Sequence, residues 1–472
     1  MTEGRVYNSR QLWIMVAILM AVEVVSSFES AMIFTALPAI HEEYRSIENV
    51  GWLITAFVLA QAATAAVGGR IGDMFGRRRV LIVVLALCAL GSALSALSNS
   101  LEVIILGRVI QGCSGVILPL CFGLMREISP RERLPFFIGC LTGAYAVSSA
   151  LGYVLGGILV DLGGWHLIFV ANALYAVAVL LPTYLMLPYS APAITTRRMD
   201  VGGLLFAPGI VLILFGITRA PSWGWLSGPA LACMASGLAV LVIWYRHELR
   251  QTEPLIDVRL LARREIAVGN ACVMLMAVGS SQLALVLMMI LQQPAVAGVG
   301  LGVSATVAGL VKLPSNIAGG AASAFSGYIF GRWGPRQTVF LGGAICAAGY
   351  AIMALFHGEV WQVVSGSVIA VIGATILLAA APNLVLSGTP EDRSSEVTGV
   401  STVIRGVCMA LGVQIVSLLL ASSPSDVPGA ARYPSENAYL LAFMFMGGSA
   451  LLCFLLGFLI PRRLPPRLAP VG

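Results

Sequence analysis

Five charged side chains sit inside long apolar runs: Glu23 and Glu29 in the first run, Arg108 near 101–125, Lys312 near 303–330 and Arg405 near 395–421. A charge at the centre of a bilayer costs at least about 2.5–3.5 kcal/mol, so each of these needs a partner or a wet cavity. A carboxyl group so placed has a definite chemistry. It stays charged beside a base and takes up a proton when the base is withdrawn. Glu29 and Arg108 suit that pair of roles. At ~1.5 Å per helical residue, Glu29 lies about 13 Å and Arg108 about 10 Å below the outer ends of their runs. Lys312, the chain's one lysine, lies at a similar depth. Glu23 and Arg405 fit a static pair as well as a cavity.

Other chemistries find no support. The nine cysteines lie almost wholly within apolar runs, with no CxxC pair, and read as small core hydrophobes. His41, His166, His247 and His357 fall near the ends of runs. There is no Ser/His/Asp set, P-loop or metal-ligand spacing, so neither an enzyme nor an ATP-driven pump is expected, and no cofactor or metal.

The elements that must position these groups are membrane spans. The 472 residues are 58% hydrophobic and 11% charged, against roughly 45–50% and about 25% in soluble domains. Runs of about 20 apolar residues recur along the chain, about fourteen in all, from roughly 11–37 to roughly 437–460. The first run is too long and too charged for a signal peptide. Of the 28 basic residues, 22 fall at one set of alternating loops and ends, three (Arg45, Arg219, Arg432) on the other side and three inside runs. That bias is the positive-inside rule with both termini cytoplasmic. It accounts for the net charge of +6 without a nucleic-acid partner. No loop is long enough for the soluble domain that a membrane sensor, the alternative of another class, would carry.

The chain also repeats itself. Gly69-Arg-Ile-Gly-Asp73-Met-Phe-Gly76-Arg77-Arg78 returns, degraded, as Gly327-Tyr-Ile-Phe-Gly331-Arg-Trp-Gly334-Pro-Arg336. Both copies follow an even-numbered span on the cytoplasmic side, as parallel halves require. Small residues recur every fourth position in span 5 (Ser148, Gly152, Gly156) and span 10 (Ser315, Gly319, Ser323, Gly327), a pattern that lets helices approach closely.

The stretch Gly69–Arg79 resembles the loop signature of the major facilitator superfamily. Leu106–Gly115, with Arg108 and Gln111, resembles the family's span-4 arginine motif, and Phe28–Ile40 the acidic-to-Leu-Pro stretch of its fourteen-span drug:proton antiporters. Trp165–Asn172, Asp200–Gly203, Glu253–Leu260 and Val403–Gly406 extend the likeness along the chain. It implies an all-α membrane protein with two six-helix bundles, 1–190 and 263–472, and an inserted helix pair with a cytoplasmic linker at 191–262. It further implies proton-coupled efflux of small amphipathic compounds by alternating access, in the inner membrane, by a monomer whose partners are substrate, protons and lipid. One departure matters: Tyr153 stands where the antiporter motif has proline, before Gly156 and Gly157, which leaves open an uptake permease for an organic anion. Under this resemblance Glu29 and Arg108 couple protons, and Lys312, Gln111, Gln282, Arg405 and Glu23 are cavity candidates. Gly152, Gly156, Gly157, Gly319 and Ser323 pack between bundles. Gly69, Asp73, Gly76, Arg77 and Arg78 form a cytoplasmic gate, in which Asp73 would face the N-terminus of span 13 near Ser394 and Ser395.

Overall fold

The computed structural model describes residues 8–45, 47–130, 133–189, 205–224, 226–250, 263–295, 298–387, 394–424 and 433–460. Within them the chain is helical throughout, with no strand beyond one isolated bridge between Pro424 and Pro434. The helices are α1 (Ser9–Tyr44), α2 (Ile47–Phe75), α3 (Arg77–Leu97), α4 (Leu101–Gln111), α5 (Ile117–Ile128), α6 (Leu134–Gly163), α7 (His166–Met186) and α8 (Phe206–Trp223). They continue as α9 (Gly228–Arg250), α10 (Arg264–Val278), α11 (Leu283–Gln292), α12 (Ala305–Trp333), α13 (Pro335–Leu355), α14 (Val360–Ser387), α15 (Ser394–Ala421) and α16 (Glu436–Leu456). Among the described residues, ten helical stretches are long and apolar enough to cross a membrane. The stretches Asp200–Gly203 and Glu253–Leu260 lie outside the described residues.

Two runs that read as single spans are broken. A 3-10 turn, Gly112–Val116, joins α4 to α5, and another, Ser280–Gln282, joins α10 to α11. Close approach forces the first break. A Cβ on Gly112 would lie 2.3 Å from the Ala60 Cβ, and one on Gly115 2.1 Å from the Gln61 carbonyl oxygen, so α2 presses against the turn. The Thr64 hydroxyl donates to the Gly112 carbonyl at 2.8 Å, satisfying a group that lipid would leave bare. At the second break the Gln282 amide does the same for the carbonyls of Ala277 and Met409, at 2.7 and 3.1 Å. Helix α1 also outruns its expected end at Leu37, continuing through Pro38 to Tyr44.

The chain divides into two compact units. The first is drawn from Met1–Ile40, Ala56–Arg198 and Ala305–Gly309, the second from His41–Thr55, Met199–Ser304 and Leu310–Gly472. In the first unit Leu12, Leu19, Leu81, Leu85, Leu120 and Phe137 bring α1, α3, α5 and α6 into one apolar core. In the second, Cys272, Val339, Leu377, Ala381 and Cys453 join α10, α13, α14 and α16. The start of α2 belongs to the second unit, where the Gln414 amide of α15 donates to the Thr55 hydroxyl at 2.7 Å. Large apolar side chains point outward as well: Leu162 is 75% exposed and Ile317 71%. A soluble surface does not carry so many; a lipid-facing one does.

Small residues set the helix spacing. Added Cβ atoms at Gly349 and Gly373 would fall 2.3 Å from the Ala370 nitrogen and 2.2 Å from the Cys346 nitrogen, so α13 and α14 touch backbone to backbone. Gly320, by contrast, has nothing within 4 Å of its Cβ position. Gly373→Leu is therefore expected to destabilise the protein by at least about 1–3 kcal/mol, as overpacking does. Gly320→Leu should leave the thermal midpoint of purified protein unchanged. Equal midpoints for the two variants would contradict this packing.

Candidate functional site

The deepest polar cluster lies in the first unit. Glu29 of α1 and Arg108 of α4 are each 1% exposed, and Gln111, one turn beyond Arg108, is fully buried. Helix α4 reaches this level because Gly107 lies against α3. A Cβ there would sit 2.1 Å from the Ser95 hydroxyl and 2.7 Å from the Gly91 carbonyl. The Arg108 guanidinium donates from Nη1 to the main-chain carbonyl of Glu29 at 3.0 Å and to Gln111 Oε1 at 2.9 Å. Its carbon lies 4.0 Å from the centroid of the Phe57 ring, a cation–π stack. Gln111 is fixed in turn, donating to the Ser92 hydroxyl at 2.6 Å.

The carboxyl of Glu29 is arranged differently. Neither oxygen has a hydrogen-bond partner among the described residues, although both are buried. Arg108, Ser114 and Cys88 are its polar and electrostatic neighbours. The base is thus held through the glutamate's backbone, and the acid has Ser114 and Cys88 beside it. Glu23, six residues earlier on α1, is 1% exposed and its Oε2 also has no hydrogen-bond partner among the described residues.

The remaining candidates separate. In the second unit Lys312 is buried on α12, and Gln282 is committed to the carbonyls at the α10–α11 break. Arg405, read from the sequence as a charge inside a span needing a partner or a wet cavity, is exposed on α15. Gly152 and Gly156 face α1: their Cβ positions lie 2.8 Å from the Ala31 Cβ and 2.6 Å from the Thr35 hydroxyl. Gly157 meets the Ala305 carbonyl at the start of α12, and Gly319 meets Val371 of α14 at 2.8 Å.

The repeated loop has one physical core. Gly76 starts α3 at φ 89° and Gly334 starts α13 at φ 83°, a backbone that side-chain-bearing residues rarely adopt. Both copies keep glycine where the chain turns sharply between two long helices. Arg77 pairs with Glu127 at 2.7 Å and donates to the Gly123 carbonyl at 3.0 Å, tying α3 to the end of α5. Arg78 donates to the Tyr184 carbonyl and stacks over the Tyr184 ring at 5.6 Å. Gly69 lies within α2. The side chains of Asp73, Ser323, Ser394 and Ser395 lie outside the described residues.

Sequence reasoning found Glu29, Arg108 and Gln111 but missed Ser92, Ser114 and Phe57. Lone small hydroxyls and a phenyl ring in apolar helices carry no chemical signal of their own. Cys88 and Ser92 share a face four residues apart, and Ser92 directly follows Gly91 of the Gly91–Gly107 crossing, but only with the crossing known does that point to Gln111.

An Arg108→Lys substitution tests the cluster. Lysine keeps the charge but lacks the planar fork that spans two acceptors over a ring. The expected result is a loss of about 1–3 kcal/mol in stability together with loss of transport. A variant as stable as the parent would show that the guanidinium geometry is dispensable.

Comparison with known proteins agrees with this architecture. The family described as the Major Facilitator Superfamily matches residues 19–413. The chain is 27% identical over 448 residues to a protein of Streptomyces coelicolor described as a probable actinorhodin transporter, covering 90% of this chain and 76% of that one. It is 26% identical over 411 residues to the tetracenomycin C resistance and export protein of Streptomyces glaucescens, covering 85% and 74%. Among solved structures, a bacterial homolog of the human lysosomal transporter Spinster, inward-facing and unoccupied, superposes with a TM-score of 0.67 at 13% identity, covering 96% of this chain and 98% of that one. The xylose transporter XylE of E. coli gives a TM-score of 0.62 at 13% identity, covering 95% and 97%.

Proposed function

The chain belongs to the Major Facilitator Superfamily, a family of membrane transporters and not of enzymes, and from that premise we propose that it exports small amphipathic compounds by proton antiport. In this reading two six-helix bundles, 1–190 and 263–472, alternate access to a midplane site, and the helices α8 and α9 are an inserted pair within 191–262. Fourteen spans place both termini in the cytoplasm of a cell with the protein in its inner membrane, acting as a monomer. The relatives named for actinorhodin and for tetracenomycin C export support efflux of antibiotic-like molecules.

The observation that carries the proposal is the Glu29 carboxyl: buried beside the Arg108 charge, whose guanidinium bonds to the main-chain oxygen of Glu29. Because the guanidinium rests on the main-chain carbonyl of Glu29 and on Gln111, a proton can join or leave the carboxyl without removing these acceptors of Arg108. Glu29 is the proton carrier, Arg108 its electrostatic partner, and Lys312 sets the charge preference for substrate. The repeated loops, with the helix starts at Gly76 and Gly334, serve the cytoplasmic gate.

Glu29→Gln in proteoliposomes is expected to bind tetracenomycin C, or whichever panel compound stabilises the parent. It should lose ΔpH-driven accumulation, keeping only exchange and downhill flux. Full proton-driven transport by this variant would refute the role of Glu29 and turn attention to Glu23.

A further inference from the structure

Helix α12 begins in the first unit and continues in the second, since Ala305–Gly309 belongs to the former and Leu310 onward to the latter. What fastens its first turn is a carboxylate from another helix. Asp161, near the end of α6, accepts from the backbone nitrogens of Ala305 at 3.1 Å and Thr306 at 2.8 Å. These are first-turn amides, which have no partner within their own helix and carry the positive end of its dipole. Asp161, 144 positions from Ala305 and 145 from Thr306 in the chain, meets two of them from another helix.

The contact is prepared along one stripe of α6. A Cβ on Gly157 would lie 2.2 Å from the Ala305 carbonyl oxygen, and one on Gly309 2.4 Å from the Tyr153 carbonyl oxygen. Tyr153, Gly157 and Asp161 follow at four-residue intervals, one helical face, and meet Ala305 and Gly309, also four apart. The glycines let the backbones touch, and the carboxylate closes the end of the seam. Asp161 is itself exposed, so water competes for it and the contact can be released.

We infer that Asp161 is a positioning residue of the transport cycle, holding the outer end of α12 against α6 and releasing it whenever the substrate path opens outward. The inference rests on the proposed transporter topology, in which span 5 ends and span 10 begins on the outer side. Tyr153, where the antiporter motif has proline, then lends its carbonyl to the same seam.

The test reads access from outside. Ala308, fully buried on α12, is replaced by cysteine, and its reaction with an impermeant maleimide is followed by peptide mass spectrometry in outward-oriented vesicles. Asp161→Ala is expected to speed labelling about fivefold, the effect of losing one charged helix cap. Asp161→Asn, which keeps an acceptor but loses the charge, should speed labelling by an intermediate amount, and it carries the test if the alanine variant fails to insert. Native Cys346, fully buried in the second unit, should react at its parental rate. Equal labelling of Ala308→Cys with and without Asp161 would overturn the inference, as would parallel acceleration at Cys346, which signals general loosening. The rates are read without substrate or proton gradient, so absence of ΔpH-driven flux in the parent would defeat the proposed antiport and leave this result standing.

Discussion

A guanidinium buried away from water must be surrounded by acceptors that the fold itself provides, and much of the first unit follows from meeting that demand for Arg108. Its acceptors are the Glu29 carbonyl on α1 and Gln111 on its own helix, with the Phe57 ring beneath it. Gln111 is held by Ser92, which requires α3 to lie close, and α3 lies close because Gly91 and Gly107 carry no side chains at the crossing. Phe57 on α2 must approach from another side. There Gly112 and Gly115 admit the α2 backbone, and the helix loosens into a 3-10 turn whose freed carbonyl Thr64 satisfies. Four helices are thus positioned around one charge.

The same economy separates structure from chemistry. Had Arg108 rested on the Glu29 carboxylate, protonating that acid would have removed the countercharge its bond to a buried cation relied on, a loss of several kcal/mol. Resting on the main chain, the cation keeps its neighbours whichever state the acid adopts, and the acid feels its field without a bond that fixes it. Under the proposed mechanism this arrangement lets one residue serve packing through its backbone and proton movement through its side chain.

The shared level of Glu29 and Arg108 was legible in the sequence, because a charged residue inside an apolar run is conspicuous and helical rise converts its position into a level. Gly76 and Gly334 were legible as a repeat, and both start a helix at positive φ. The direction in which a side chain points around its helix was not. Arg108 reaches a backbone carbonyl that no sequence pattern marks, and Arg405 is exposed on α15 although its run is apolar. Asp161 carries no sequence signal, since its partners lie far along the chain. The break at Gly112–Val116 was invisible because its residues are as apolar or small as their flanks, and the neighbouring α2 backbone forces it; Ser280–Gln282 is polar, but three polar residues in an apolar run do not by themselves mark a break.

The central claim is that the Glu29 carboxyl exchanges its proton for substrate. Isothermal titration of purified protein in buffers of different ionisation enthalpy counts protons released as substrate binds. The account predicts net proton release from the parent and none from Glu29→Gln, with binding retained in both. Undiminished release from the variant would contradict it.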